Sequence, residues 1–193
     1  MANFMMNHKD PLLILASGSP RRSELLTRMG VSFLIDASNV DEHCDGNASE
    51  KVRILSHRKA EAVAAKHPDA IVLAADTVVD CDGILEKPAD ESEAFHMLKR
   101  LSGRWHEVFT GVCVIYQKTT HADVERTRVH FVELSDEDIH RYIKTGESMD
   151  KAGAYGIQGM AGMFIDRIDG CPHNVMGLPM ALTNRLIKAC GMI

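Results

Sequence analysis

The chain has 193 residues, enough for one domain with a substantial core, and 45% hydrophobic with 25% charged residues is typical of a globular protein. Its 22 Lys and Arg against 27 Asp and Glu give a net charge of −5, which argues against nucleic acid as a partner. The five cysteines are odd in number and show no CxxC spacing, which argues against a disulfide framework and a structural zinc site.

No apolar run approaches the ~20 residues needed to span a membrane, and the polar residues 1–10 lack the apolar segment of a signal peptide. We therefore expect a cytoplasmic protein with no membrane partner. The expected organisation is a loose N-terminal tail over residues 1–10, followed by a single α/β domain with two lobes over residues 11–193.

The first predicted elements are a buried strand over residues 12–16 and a helix over residues 20–30, joined by the small residues Ser17-Gly18-Ser19. Serine followed by proline is typical of a helix start. Free backbone N–H groups and the positive end of the helix dipole meet Arg21 and Arg22 at this corner, which favours phosphate binding. The alternative is a capped helix whose two arginines are merely solvated.

A second strand over residues 31–35, a polar loop over residues 36–47 and a long helix over residues 48–66 follow. The loop presents Glu42, which is either part of a site or a solvated acid. Lys59 falls on the apolar face of the helix. There it either extends to the rim of the core or reaches an anion at the edge of a cleft.

An apolar run over residues 70–75 predicts a central strand that is covered on both faces, and it leads directly into Asp76 and Thr77. An acid at the carboxyl end of a buried strand is costly unless it meets a cation, a metal or hydrogen-bond donors, and ligands of open α/β sheets bind at that end. No helix follows that Asp76 would cap, so we interpret it as functional. After a turn at Asp82-Gly83, Lys87 precedes a proline that holds its backbone extended, although an ordinary exposed loop lysine is the alternative.

The second half of the chain adds antiparallel structure to this pattern. The predicted elements are a helix over residues 90–101, a hairpin of strands 105–116 and 124–134, a helix from Ser135 to Gly146, a glycine-rich loop over residues 150–159, a strand over residues 160–168 and a helix over residues 180–189. Together with the alternating strands and helices of the first half, they predict an α/β fold with a mixed sheet, flanking helices and a central cleft.

The candidate residues suit a polyphosphate bound together with a divalent metal. The basic candidates are Arg21, Arg22, Lys59 and Lys87, and the acidic ones are Glu42 and Asp76. Magnesium typically binds one or two carboxylates plus the phosphate oxygens of the substrate. The sequence contains no Walker P-loop, no GxGxxG motif and no recognisable nucleophile motif.

Six short motifs in order resemble those of the Maf-like nucleoside triphosphate pyrophosphatases, from Leu12 to the final helix. They are Ala16 to Arg22, Val40 to Glu42, Ala75 to Thr77, Glu86 to Pro88, Lys151 to Gly159 and Asn174 to Pro179. The resemblance implies the mixed α/β fold shared with inosine triphosphate pyrophosphatases, the Maf/Ham1 fold, and a cytoplasmic homodimer. It also implies cleavage of a nucleoside triphosphate to the monophosphate and pyrophosphate with a divalent metal, Mg²⁺ or Mn²⁺.

The same resemblance assigns roles to residues of this chain. It implies Asp76 as the catalytic acid, Glu42 and Asp76 as metal ligands, Ser17, Arg22, Lys59 and Lys87 as substrate-binding residues, and Arg21, Thr77 and Gln158 as the residues that select dTTP and UTP. Modified pyrimidine nucleotides are further candidate substrates. Two alternatives stay open: a pyrophosphatase of the branch that acts on 7-methyl-GTP, and a nucleotide-binding inhibitor of septum formation and cell division.

Overall fold

The computed structural model describes residues 11–191, so the predicted tail over residues 1–10 lies outside the described residues. The strands within that range are Leu13–Leu15 (β1), Phe33–Ile35 (β2), Ile71–Asp80 (β3), Ile84–Leu85 (β4), Trp105–Tyr116 (β5), Thr119–Phe131 (β6) and Ile165–Asp169 (β7). The helices are Pro20–Arg28 (α1), Ala48–Ala64 (α2), Glu91–Leu101 (α3), Asp136–Ile143 (α4), Pro172–Val175 (α5) and Met180–Ala189 (α6), with short 3₁₀ helices at Ala152–Ala154 and Met160–Phe164.

All seven strands join one mixed sheet in the order β2-β1-β3-β5-β6-β7, with β4 paired to β3 alone. The strands β2, β1 and β3 are parallel, and the pairs from β3 through β5 and β6 to β7 are antiparallel. The predicted α/β class with a mixed sheet and flanking helices is therefore confirmed. The division into two lobes stays a prediction.

Side chains alternate along the strands and divide the core between the two faces of the sheet. On one face, odd-numbered residues of β1 and β3 such as Leu73 pack against α1 and α6. On the other face, even-numbered residues such as Val72 pack against α2. The alternation continues to the adjacent residues Asp76 and Thr77, which therefore point to opposite faces of the sheet.

The central strand β3 has an open stretch along one of its edges. The strand β5 pairs with the other edge over residues 72–80. On the open edge, β1 pairs only with residues 71–73 and β4 only with residues 79–80, so residues 74–78 have no strand partner there within the described chain. Asp76 lies within this gap, in the middle of β3 rather than at its carboxyl end.

Helix α2 packs unusually close to the sheet at Gly111 of β5. A Cβ atom placed on Gly111 would lie 2.3 Å from the carbonyl oxygen of Val52 on α2, a distance that real Cβ atoms do not reach. The start of α2 is fixed by a capping box, in which the Asn47 side chain accepts from the Glu50 N–H and the Glu50 carboxylate accepts from the Asn47 N–H. The glycine and the cap together set where Lys59, two turns further along α2, meets the strand.

Three further local predictions differ from the structure. Ser19 occupies the N-cap position of α1, but its side chain makes no capping hydrogen bond. The hairpin turn is only Gln117 and Lys118, both at positive φ, so β6 begins at Thr119 instead of the predicted residue 124. Such a two-residue turn normally carries Gly or Asn, and its sequence signal is missing here.

The predicted strand over residues 160–168 is also wrong in its first half. Residues Met160–Phe164 form a 3₁₀ helix, in which Ala161 and Phe164 are buried, and the strand occupies only Ile165–Asp169. A short apolar run does not show whether every second residue is buried, as in a strand, or every third, as in a 3₁₀ helix. The two patterns are too similar to separate over five residues. None of the helices between residues 11 and 191 is long and apolar enough to cross a membrane.

Candidate active site

A cleft of about 520 Å³ opens where β3 lacks a strand partner. All nine predicted site residues line it, namely Ser17, Arg21, Arg22, Glu42, Lys59, Asp76, Thr77, Lys87 and Gln158. The charged lining comprises six cations against four carboxylates, because Lys51, Lys151, Glu86 and Asp150 join the predicted set. The cleft is therefore locally basic although the whole chain carries a net charge of −5, a distribution that suits an anionic ligand.

The acidic centre of the cleft is the Asp76 carboxylate on β3, only 7% exposed. Its Oδ1 accepts a hydrogen bond from the Lys59 ammonium at 2.7 Å, and the same ammonium lies 2.9 Å from Oε1 of Glu42. Lys59 is itself 8% exposed, so it does not extend to solvent but reaches anions at the cleft. This placement resolves the alternatives that helical spacing leaves open for Lys59.

Glu42 lies in the loop after β2, and its side chain is 60% exposed. Partial burial alone would raise its pKa. The hydrogen bond and charge of Lys59 outweigh that effect, with Lys87 and Arg22 adding to it, and the pKa of Glu42 falls below its usual value. Glu42 is therefore an anion at neutral pH, and Lys87 is near enough to act on it electrostatically although it is exposed.

The donor set fits a divalent metal that is shared with a phosphate ligand. Within residues 11–191, no group of three or more His, Cys, Asp and Glu side chains could hold a metal alone. Glu42 and Asp76 supply two carboxylates at the cleft, which is the number that magnesium commonly takes from a protein when phosphate oxygens complete its shell. The single ammonium group of Lys59 contacts both carboxylates, so the pair keeps a net negative charge for a metal.

The basic centre lies on the opposite face of β3, where Arg22 of α1 is held by three acceptors. Its Nε donates to the Gly177 carbonyl at 2.9 Å, Nη1 to Ser17 Oγ at 3.1 Å and Nη2 to Thr77 Oγ1 at 3.1 Å. A guanidinium has five N–H bonds, so one on each Nη atom is not used by the described residues. Burial lowers the pKa of Arg22 and Asp76 partly offsets this shift, but a guanidinium remains charged at neutral pH.

The glycine-rich loop after α4 is joined to α1 by two polar contacts at the mouth of the cleft. Arg21 Nη1 donates to Asp150 Oδ2 at 3.1 Å, and Gln158 Nε2 donates to Glu24 Oε2 at 3.3 Å. Gln158 is exposed, and its second polar atom, Oε1, has no hydrogen-bond partner among the described residues. This atom can therefore accept from a ligand. These contacts place Arg21 and Gln158 on either side of the opening.

Several residues in the cleft or directly behind it have no role assigned from the sequence. Lys51 lies about two turns before Lys59 on α2, a helical spacing that could have revealed it. The Thr110 hydroxyl contacts Thr77, and the Gly177 carbonyl accepts from Arg22. Both contacts join segments that are distant in sequence and meet only in the tertiary fold. The motif from Asn174 to Pro179 marks the segment that contains Gly177 but gives its carbonyl no role, and no local signal marks a threonine on a strand as part of a site.

Comparison with known proteins agrees with the motifs. The family described as Maf-like protein matches residues 12–190. Three relatives, each named dTTP/UTP pyrophosphatase, come from Koribacter versatilis, Geobacillus and Symbiobacterium thermophilum. The first is 48% identical over 94% of this chain and 95% of its own length. The second is 49% identical over 93% and 98%, and the third 50% identical over 93% and 94%.

The ion pair between Lys59 and Asp76 leads to a prediction about stability. Replacing Lys59 with Met leaves a buried carboxylate without its cation, so we expect the free energy of unfolding to fall by about 3 kcal/mol. The measurement is urea denaturation with a chelator present. Lys51→Met is the matched control, because Lys51 on the same helix pairs with Glu86, whose side chain is 63% exposed, and should cost less than about 1 kcal/mol. Equal losses for the two variants would contradict the prediction.

Proposed function

This chain belongs to the Maf-like protein family, and on that premise we propose that it hydrolyses dTTP and UTP to the nucleoside monophosphate and pyrophosphate. The reaction is attack of a water oxygen on the α-phosphorus, with cleavage of the bond from that phosphorus to the bridging oxygen of the β-phosphate. The observation that carries the proposal is that the buried Asp76 shares one cleft with several cations. We call Arg22, Lys59 and Lys87 the basic wall of this cleft. The relatives that are about 50% identical to this chain are named for the same activity.

The basic wall is suited to hold the triphosphate. Arg22 offers two N–H bonds that the protein does not use, which is the number needed for a forked contact to a phosphate group. Lys59 and the exposed Lys87 supply point charges from α2 and from the segment after β4. Ser17 lines the turn before α1, and its hydroxyl accepts from Arg22, so its role is to fix the guanidinium beside the phosphates.

Asp76 is the group that we assign to the reacting water. A carboxylate held at a fixed position can orient a water molecule and take its proton as the oxygen attacks. Mg²⁺ or Mn²⁺ would be held by Glu42 and Asp76 together with substrate oxygens, and when bound it would neutralise charge on the phosphates. Lys59 orients Asp76 through the 2.7 Å contact to Oδ1.

We assign selection of the base to Arg21, Thr77 and Gln158. Arg21 and Gln158 flank the opening, and the free Oε1 of Gln158 can accept a hydrogen bond while its amide group donates. Uracil and thymine present both a donor and acceptors along one edge. A site that pairs those groups rejects a base that leaves its polar atoms unmatched.

We also propose that the protein works in the cytoplasm as a homodimer. Large apolar side chains are exposed at the β2 edge of the sheet, where Leu34 is 59% and Ile35 55% exposed. A second copy that covers this edge would remove them from water and would protect the unpaired strand.

The assembly is tested by light scattering, which should give a mass twice that of the 21.3 kDa chain. Leu34→Glu should shift the measured mass toward that of one chain. A monomeric parent would refute the assembly.

The activity is tested by measuring pyrophosphate release from a panel of nucleoside triphosphates with Mg²⁺, Mn²⁺ or a chelator. We expect dTTP and UTP to be cleaved fastest, with the chelator abolishing turnover. Asp76→Asn should lower kcat at least about 100-fold, since the amide takes no proton and is a poor metal ligand. Asp80→Asn is the control, because Asp80 lies on the same strand outside the cleft and accepts from the Gly83 N–H.

Each result of this panel separates the activity from an alternative. Faster cleavage of 7-methyl-GTP than of dTTP would overturn the pyrimidine assignment and leave the pyrophosphatase activity in place. Nucleotide binding without cleavage of any triphosphate would favour the nucleotide-binding regulator.

The base assignment is tested by Gln158→Glu, which removes the amide donor and adds a negative charge at the opening. We expect kcat/KM for dTTP and UTP to fall about tenfold, equivalent to about 1.4 kcal/mol, while inhibition by tripolyphosphate changes less. Gln117→Glu in the hairpin turn is the control for added charge, since Gln117 does not line the cleft. A loss shared equally with purine triphosphates would show that Gln158 does not read the base.

A further inference from the structure

A fully buried threonine on β5 forms the deepest polar contact of the basic centre. Thr110 lies directly opposite Thr77 in the β3–β5 register, and their hydroxyl oxygens are 2.9 Å apart. On its other side, Thr110 Oγ1 is 3.1 Å from the carbonyl oxygen of Asn174. The solvent-exposed fraction of Thr110 is 0%, so the protein alone determines the partners of its hydroxyl.

These hydrogen bonds form a series that runs from Arg22 to the Asn174 carbonyl, and the groups at its two ends fix the direction of each bond. The Asn174 carbonyl can only accept, so the Thr110 hydroxyl donates to it. Thr110 therefore accepts from the hydroxyl of Thr77, and the Thr77 oxygen accepts from Arg22 Nη2, which can only donate. All three bonds run in one direction, an arrangement in which neighbouring hydrogen bonds strengthen one another.

This polarity decides what Thr77 can offer to a ligand. Its single proton is committed to Thr110, and its oxygen accepts from Arg22. Thr77 therefore has no proton to donate to a base, and through its contact with Arg22 the hydroxyl helps to fix the guanidinium.

Asn174, whose carbonyl is the last acceptor of this hydrogen-bond series, is itself held firmly. The Asn174 side chain is completely buried, and its Nδ2 donates to the Val108 carbonyl at 2.9 Å and to Thr127 Oγ1 at 3.0 Å. Asn174 begins the segment that also supplies the Gly177 carbonyl to Arg22 Nε. Two carbonyl groups of one anchored segment thus determine where the guanidinium lies, one directly and one through two hydroxyl groups.

We propose that Thr110 is a positioning residue that orients Arg22 toward the phosphates through the Thr77 hydroxyl. The proposal rests on the proposed function in taking Arg22 as a phosphate-binding group. It predicts that loss of the Thr110 hydroxyl weakens phosphate binding only while Arg22 is present. A residue that merely stabilises the sheet would have the same effect with or without Arg22.

The test is a double-mutant cycle of Thr110→Val and Arg22→Met, with Thr110→Ser as the variant that keeps the hydroxyl. Calorimetric titration with tripolyphosphate gives Kd, and steady-state kinetics with dTTP and UTP give KM and kcat. For Thr110→Val we expect Kd and KM to rise about five- to tenfold with a smaller change in kcat, the size of one net hydrogen bond. Thr110→Ser should stay within about twofold of the parent, and the Val change should have no further effect in the Arg22→Met background.

The same loss in both backgrounds, or parent-like binding by Thr110→Val, would overturn the proposal. Thr110→Ala replaces Thr110→Val if circular dichroism shows that the valine variant does not fold. A parent that binds tripolyphosphate but cleaves no triphosphate would refute the proposed function, and the binding cycle would still decide the role of Thr110. A parent that binds no tripolyphosphate would overturn the role of Thr110 directly.

Discussion

The structure depends on one buried carboxylate in the middle of an apolar strand. Asp76 follows residues of β3 that have no exposed surface, and removing a charge from water costs several kcal/mol unless a partner compensates. The partner is Lys59, whose ammonium reaches Asp76 only because α2 packs directly against the sheet at Gly111. The close approach of helix and strand, and the gap in strand pairing beside Asp76, are thus parts of one arrangement.

Strand geometry then separates the functions of the cleft. Because neighbouring side chains on a strand point to opposite faces, Asp76 meets α2 while Thr77 meets α1. The Asp76 carboxylate and the Arg22 guanidinium therefore sit on different faces of one strand and do not neutralise each other by direct contact. Asp76, Arg22 and Lys59 stand on the sheet and its helices, whereas Gln158 and the further phosphate-binding candidate Lys87 stand in exposed segments. Rigid elements hold the reacting groups more accurately than loops do.

Local sequence signals pointed to part of this cleft, and the resemblance to a family supplied the rest of the predicted set. The apolar run before Asp76, the serine-proline helix start beside Arg22 and the helical position of Lys59 each follow from a few neighbouring residues, and all line the cleft. What sequence could not supply is distance. Whether Lys59 extended to solvent or to an anion depended on the contact between α2 and β3. The position of Asp76 in the middle of its strand depended on the pairing of β3 with β5, which continues to Asp80. The two-residue turn at Gln117 escaped prediction because neither residue is a usual one for positive φ.

Asn174 carries one unsatisfied polar atom within the segment that holds the basic centre in place. Its side-chain oxygen is buried without a hydrogen-bond partner among the described residues, a condition that costs about 1 to 3 kcal/mol. An apolar residue of similar size would avoid that cost but would lose the two Nδ2 bonds that fix the segment leading to Gly177. Because that segment supplies the carbonyl groups on which Arg22 and Thr110 depend, the unsatisfied oxygen accompanies the geometry of the basic centre. The Asn174 side chain thus combines one unsatisfied atom with two hydrogen bonds that anchor the segment from which Arg22 is held.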